Sequence, residues 1–182
     1  MKFKMKPLAR FFAAPFARYA ERVLLMYANT QAMCTSFKVE LLNGSHAFGA
    51  QAANGVRTVT TKDTFNLALF LVSASRGVAD TVYNTTGELA ASGNYTQGGK
   101  LLTNATEPTS TGTTAFWTPS AGLTWTALTS SGAFDAAVLY NAAATGNEEC
   151  SVHTFSSQSI TAADFTITMP ANDATNALLR IA

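Results

Sequence analysis

From Phe65 to Val72 the chain reads Phe-Asn-Leu-Ala-Leu-Phe-Leu-Val, nearly continuous in apolar residues and too short for a typical helix. Such a run predicts a strand covered on both faces. From Ala133 to Asn141 it reads Ala-Phe-Asp-Ala-Ala-Val-Leu-Tyr-Asn, with Ser-Ser-Gly before it and Ala-Ala-Ala-Thr-Gly after it. This segment predicts a strand between two turns, and the expectation is that the domain centres on it. Val138 and Tyr140 belong on one of its faces, Ala137 and Leu139 on the other. Asp135 is expected at the strand's start, making a local hydrogen bond. In Leu123-Thr124-Trp125-Thr126 the alternation places Leu123 and Trp125 inward and the threonines outward. Further short strands are predicted at Lys100 to Thr106, Thr114 to Thr118, Leu123 to Leu128, Cys150 to Phe155, Phe165 to Met169 and Ala177 to Ile181. Spacing of about eight to twelve residues marks an antiparallel sandwich or barrel.

A different period governs the start of the chain. Leu8, Phe11, Phe12, Phe16, Tyr19, Val23, Met26 and Tyr27 recur at helical steps, with Arg10, Arg18 and Arg22 between them. The spacing predicts an amphipathic helix beginning near Pro15, which suits a first turn, and ending near Ala28 or Asn29. A secretory signal is disfavoured because charges and Pro15 interrupt every apolar stretch, and no 18-residue apolar run exists for a membrane span. An organelle transit peptide shares the Arg-rich character but would be removed from a mature chain. The reading adopted is an arm that docks on a partner subunit or on the chain's own sheet. A second, short helix is predicted from Thr-Ser-Phe-Lys-Val-Glu-Leu-Leu-Asn-Gly. Thr35 or Ser36 would cap it, Phe37, Leu41 and Leu42 would form its stripe, and Asn43-Gly44 would stop it.

Residues 47 to 64 show no period beyond an edge strand at Arg57 to Thr60. The long connection from 73 to 99 is expected to contain a helical turn around Val82 to Leu89. Gly98-Gly99 reads as a sharp turn, since the strand-to-helix context and the Lys-Ser or Lys-Thr ending of a phosphate loop are missing.

The 182 residues suffice for one domain, or one with an extension, and 47% are hydrophobic while only 13% are charged. Charge is unevenly placed. Residues 1–42 hold seven basic and two acidic side chains, a net of +5, and the remaining 140 hold five and nine, a net of −4. The asymmetry separates a basic arm, residues 1–35, from a domain of residues 36–182, and aims the arm at an acidic partner, a nucleic acid or a surface. Without a recognition motif, seven basic residues support only non-specific nucleic-acid contact. Cys34 and Cys150 are too few for a framework; two reduced, packed residues are expected, a single disulfide being the alternative. His46 lacks a second ligand at metal spacing and reads as structural. Asp135, Glu148, Glu149, Asp164 and His153 are scattered, so no catalytic residue, metal ligand or cofactor is assigned, and Glu148-Glu149 reads as a solvated turn. Trp117, Tyr95 and Tyr83 could stack on sugars if exposed together, which would make a glycan-binding module.

Five segments in order carry a resemblance: Phe37 to His46, Thr86-Gly87-Glu88-Leu89, Gly93 to Leu101, Leu123-Thr124-Trp125 with Ala137 to Asn141, and Phe165 to Ile181. Together they resemble small structural virion proteins of tailed bacteriophages, over Ser36 to Ala182. The resemblance implies a non-enzymatic subunit with a jelly-roll-like sandwich. It would be a capsid decoration (cement) protein on the virion surface or a tail, neck or fibre component, partnered by the major capsid protein or other virion subunits and expected to be a homo-oligomer. The basic-aromatic amino terminus departs from the group. Arg10, Phe11, Phe12, Phe16, Arg18, Tyr19 and Arg22 are the residues assigned to partner binding, with no membrane contact expected.

Overall fold

The computed structural model describes residues 28–50, 61–104 and 106–182. The expected arm helix, the partner-binding residues assigned within it and the edge strand at Arg57 to Thr60 lie outside the described residues. Among those described, the protein is mainly β, with antiparallel sheets and one short helix. A five-stranded sheet is built from β1 (Ala32–Met33), β2 (Phe65–Leu71), β3 (Lys100–Leu101), β7 (Phe134–Asn141) and β8 (Glu149–Gln158), in the order β1-β8-β7-β2-β3. A three-stranded sheet holds β4 (Thr109–Thr111), β5 (Thr114–Trp117) and β10 (Leu179–Ile181). β6 (Leu123–Leu128) pairs with β9 (Ala163–Ile167).

The expected central strand is central. β7 lies in the middle of the large sheet, with Leu139 opposite Leu67 of β2 and opposite Ser151 of β8. Its two faces divide as the alternation predicts. Ala137 and Leu139 join the main core with Leu67, Leu69, Trp117, Trp125 and Phe134, while Val138 and Tyr140 join a second core with Ala68, Phe70 and Val152. Burial on both sides explains why β2 and β7 read as unbroken apolar runs. The smaller sheets contribute to the main core. Phe48 stacks on Phe65 with ring centroids 4.3 Å apart, Trp117 meets both, and Phe165 meets Phe134 edge-on at 4.9 Å. Trp125 is fully buried, as its place in the alternation requires, and each such aromatic stabilises the fold by about 2–3 kcal/mol through burial.

The single helix among the described residues, α1 (Thr35–Asn43), stops as expected. Gly44 takes the left-handed conformation at φ 69°, its N–H bonds the Leu41 carbonyl, and the Ser45 N–H bonds the Glu40 carbonyl, a Schellman closure. Its beginning differs from expectation. Cys34, not Thr35 or Ser36, occupies the N-cap without a side-chain cap bond, and the Thr35 N–H is instead satisfied by the Val78 carbonyl. Leu42 is 90% exposed and no part of the apolar stripe, because Phe37 and Leu41 already face the core. Leu42→Glu is accordingly expected to shift stability by less than about 0.5 kcal/mol in urea denaturation; a loss near 2 kcal/mol would show that the stripe includes it.

Strands β1 and β4 escape the sequence reading because each is only two or three residues long, and β3 is shorter than its predicted span. β8 runs three residues past its predicted end, and β9 begins two residues early. The helical turn expected around Val82 to Leu89 is not formed. That segment is bridged to the sheet from Val82 to Glu148 and from Glu88 to Phe70, with a non-helical turn at Thr86-Gly87 where Gly87 has φ 78° and the Glu88 N–H bonds the Thr85 carbonyl. Its backbone groups find partners on the β2 edge, where Leu71 N–H bonds the Gly87 carbonyl and Leu89 N–H the Leu69 carbonyl. The turn at Gly98-Gly99 is as sharp as expected. Gly99 has φ 69°, and a Cβ there would lie 2.0 Å from the Leu67 carbonyl oxygen.

Candidate functional site

The place where the arm joins the domain is built from four distant pieces of chain. Asn29 donates through Nδ2 to the Leu71 carbonyl at 3.0 Å and to Asp135 Oδ1 at 2.6 Å, and its Oδ1 accepts from the Arg76 N–H at 3.1 Å. The Thr30 N–H donates to the Arg76 carbonyl at 2.8 Å. Two residues later β1 adds to the edge of β8. Asp135 therefore makes a long-range bond to the arm's root in place of the expected local one, because its position at the start of β7 faces residues 28–30.

Beneath this junction lies a buried charged group. Glu149, at the start of β8, is 0% exposed, and Arg76 is 6% exposed; the guanidinium bonds Glu149 through Nη2, stands 4.4 Å from the Phe70 ring centroid, and has Asp80 Oδ2 at 3.7 Å from Nε. Glu149 Oε2 is buried without a hydrogen-bond partner. Burial pushes the Glu149 carboxyl up to about 8, opposed by Arg76 and reinforced by Asp80. The solvated turn expected at Glu148-Glu149 is thus corrected: Glu149 is interior, since the strand begins there and loop 76–81 closes over it, the Glu149 N–H bonding the Thr81 carbonyl.

A second polar group joins residues 83–98 to the large sheet. Glu88 Oε1 accepts from the Tyr95 hydroxyl at 2.6 Å and the Gly98 N–H at 2.8 Å, and Oε2 accepts from the Tyr83 hydroxyl. Tyr95 in turn accepts from the Leu69 N–H at 2.9 Å, and Tyr83 stacks on Tyr140 at 4.2 Å. Burial and the Glu88 hydrogen bonds push both tyrosine hydroxyls well above their ordinary range, so they stay protonated donors. These bonds hold loop 73–99 on the sheet. A third group closes the end of β7. Asn141 Nδ2 donates to His46 Nδ1 at 3.0 Å and to Asp63 Oδ2 at 2.7 Å. That leaves the His46 hydrogen on Nε2, which donates to Glu40 at 2.8 Å. His46 has the structural surroundings expected of it.

The remaining candidates are not brought together. Asp164 accepts from the Ala127 N–H and His153 bonds Ser151, on different strands. Trp117 and Tyr95 are each only 3% exposed, so the aromatic platform imagined for sugars is not formed; their rings fill the core instead. An apolar cavity of about 450 Å³ opens beside α1, with Phe37, Phe48, Phe116 and Trp117 in its wall. No helix among the described residues is long and apolar enough to cross a membrane. The Asn29 junction carries no motif. Only an isolated asparagine beside a basic-aromatic segment hinted at it. Comparison of the chain with protein-family models, curated proteins and solved structures finds no match.

Proposed function

We propose that this protein is a structural subunit of a tailed-bacteriophage virion, a capsid decoration protein whose arm, within residues 1–35, docks between coat subunits through the part that precedes Asn29. The observation that carries the reading is the junction: Asn29 and Thr30, which directly follow the segment rich in arginine and aromatic residues, are tied to the β-domain through four hydrogen bonds. Arg10, Phe11, Phe12, Phe16, Arg18, Tyr19 and Arg22 are its contact residues. The five ordered motif segments support the family, and the two smaller sheets packing over one face of the large one suit the sandwich, jelly-roll-like, that such a subunit would have. Strand faces that carry hydroxyls, as in the exposed Thr109-Ser110-Thr111 of β4, suit a particle surface.

Docking of the arm's aromatics would remove several hundred Å² of apolar surface, a gross gain of order 10 kcal/mol before ordering costs. Cosedimentation with empty shells tests it. The full chain is expected to bind and a chain lacking residues 2–27, which keeps Asn29, to lose about 100-fold or more in affinity. Equal binding by both rejects the arm as anchor. The second reading, a tail or neck component, predicts about a dozen copies per particle where a shell coat needs hundreds, and quantitative mass spectrometry of particles separates them.

A further inference from the structure

The register that joins β1 to β8 places Ala32 opposite Val152 and Met33 opposite Ser151. One step further along, Cys34 stands opposite Cys150, and the Cys34 N–H donates to the Cys150 carbonyl at 3.0 Å. Directly opposed residues of an antiparallel pair have Cα atoms about 4.5–5.5 Å apart and direct their side chains to one face, within the roughly 4.4–6.8 Å that a disulfide spans. Both thiols are free, wholly buried and part of the same core. Cys150 is also the unpaired residue of a bulge, since Tyr140 pairs with Glu149 and Leu139 with Ser151. Chain positions 116 apart, which spacing alone could not connect, thus form a cross-strand dithiol.

We propose that Cys34 and Cys150 are a covalent modification site, oxidised to an intrachain disulfide by exchange with a small-molecule disulfide such as oxidised glutathione. In the closed fold the pair is protected. Burial, with Glu149 and Asp80 adding to it against Arg76, pushes the Cys34 thiol up to about 12, and burial raises Cys150 as well. β1, however, is two residues long and lies at the sheet's edge, so it opens more readily than the strands inside. Opening returns Cys34 to water, where its thiolate attacks the glutathione disulfide, forms a mixed disulfide and expels one glutathione thiolate. While β1 is still open, Cys150 loses its proton to solvent and attacks the Cys34 sulfur, expelling the second glutathione, and β1 then closes over the disulfide. Two protein thiols are oxidised, one glutathione disulfide is reduced to two thiols, and two protons leave the protein for the two glutathione thiolates. The product ties the root of the arm to β8 and closes a long loop, which constrains the unfolded chain. This site stands independently of the virion reading.

The test uses the full chain, incubated with oxidised glutathione in urea below the unfolding transition and then returned to buffer. Intact mass is expected to show loss of two hydrogens with no glutathione retained, and the thermal midpoint to rise by roughly 5–10 °C, reversed by dithiothreitol. Cys34→Ser and Cys150→Ser are expected to give at most a glutathione adduct and no rise. A wild-type protein that keeps glutathione, stays unmodified, or crosslinks but melts no higher than the reduced form would overturn the proposal.

Discussion

Glu88→Ala is expected to lower the unfolding free energy by about 3–5 kcal/mol, measured by urea denaturation with one probe for the sheet and one for the tyrosines. The physical reason is the number of donors it leaves behind. Glu88 is 4% exposed, and truncation strips an acceptor from two tyrosine hydroxyls and from the Gly98 N–H in a place with little access for water. An unpaired buried donor costs about 1–3 kcal/mol, and neighbours in one network do not add fully. Glu88→Gln retains one acceptor oxygen, and a tyrosine hydroxyl can turn to accept from the new amide, so a smaller loss of about 1–2 kcal/mol is expected. Tyr95→Phe removes the donor to Glu88 and the acceptor for the Leu69 N–H together, and should fall between these values. If Glu88→Ala stays within about 1 kcal/mol of the parent, the network does not hold loop 73–99 on the sheet.

Arg76→Met is expected to cost about 3–5 kcal/mol at pH 9 and clearly less at pH 6. At the higher pH the substitution leaves a buried Glu149 that must ionise alone or hold its proton against the solvent; at the lower pH the neutral carboxyl needs its partner less. The parent protein carries the same signature. Glu149 has its folded value raised to about 8, above the ordinary carboxyl value of 4.5, so between these limits the folded form holds a proton that the unfolded chain releases. Its stabilising contribution is full below the unfolded value and is lost as pH rises through 8. Each unit of displacement corresponds to about 1.4 kcal/mol, so urea midpoints should fall between pH 6 and pH 9 by an amount worth a few kcal/mol. Glu149→Gln should flatten that dependence. The double replacement Arg76→Met with Glu149→Leu should cost less than the sum of the single changes, because it leaves no charge stranded. A parent protein equally stable at both pH values, or a double variant whose losses simply add, would refute the coupling.

Much of the architecture is readable along the chain where one local rule decides. Phe65 to Leu71 and Phe134 to Asn141 announce strands buried on both faces by their apolar continuity, and the alternation at Leu123 and Trp125 gives their inward face. Gly44 ends α1 because a left-handed residue is needed there and glycine adopts it without strain. The readings that fail are those that need a distant partner. Glu149 looks like a surface turn residue until Arg76 arrives from 73 positions away, and Asp135 looks local until Asn29 is placed beside it from 106 positions away. A helical turn at Val82 to Leu89 is expected because so long a connection without regular structure is unusual, yet the segment satisfies its backbone on the β2 edge instead. Leu42 fits a helical stripe by spacing but points away from a core that Phe37 and Leu41 already fill.

The sequence by itself determined the mainly β class, the central strand with its two faces, the inward Trp125 and the stop at Gly44. Each follows from a repeat of two residues per strand step, or from the dihedral preference of a single residue, and such rules act within a few positions. Only the tertiary structure decided that Arg76, Glu149 and Glu88 are interior, and which distant groups meet: the tyrosines on Glu88, the Asn29 junction and the opposed cysteines. Burying a polar group is tolerable only with a partner, and the partner is chosen by how strands and loops stack in space, which local periodicity does not encode.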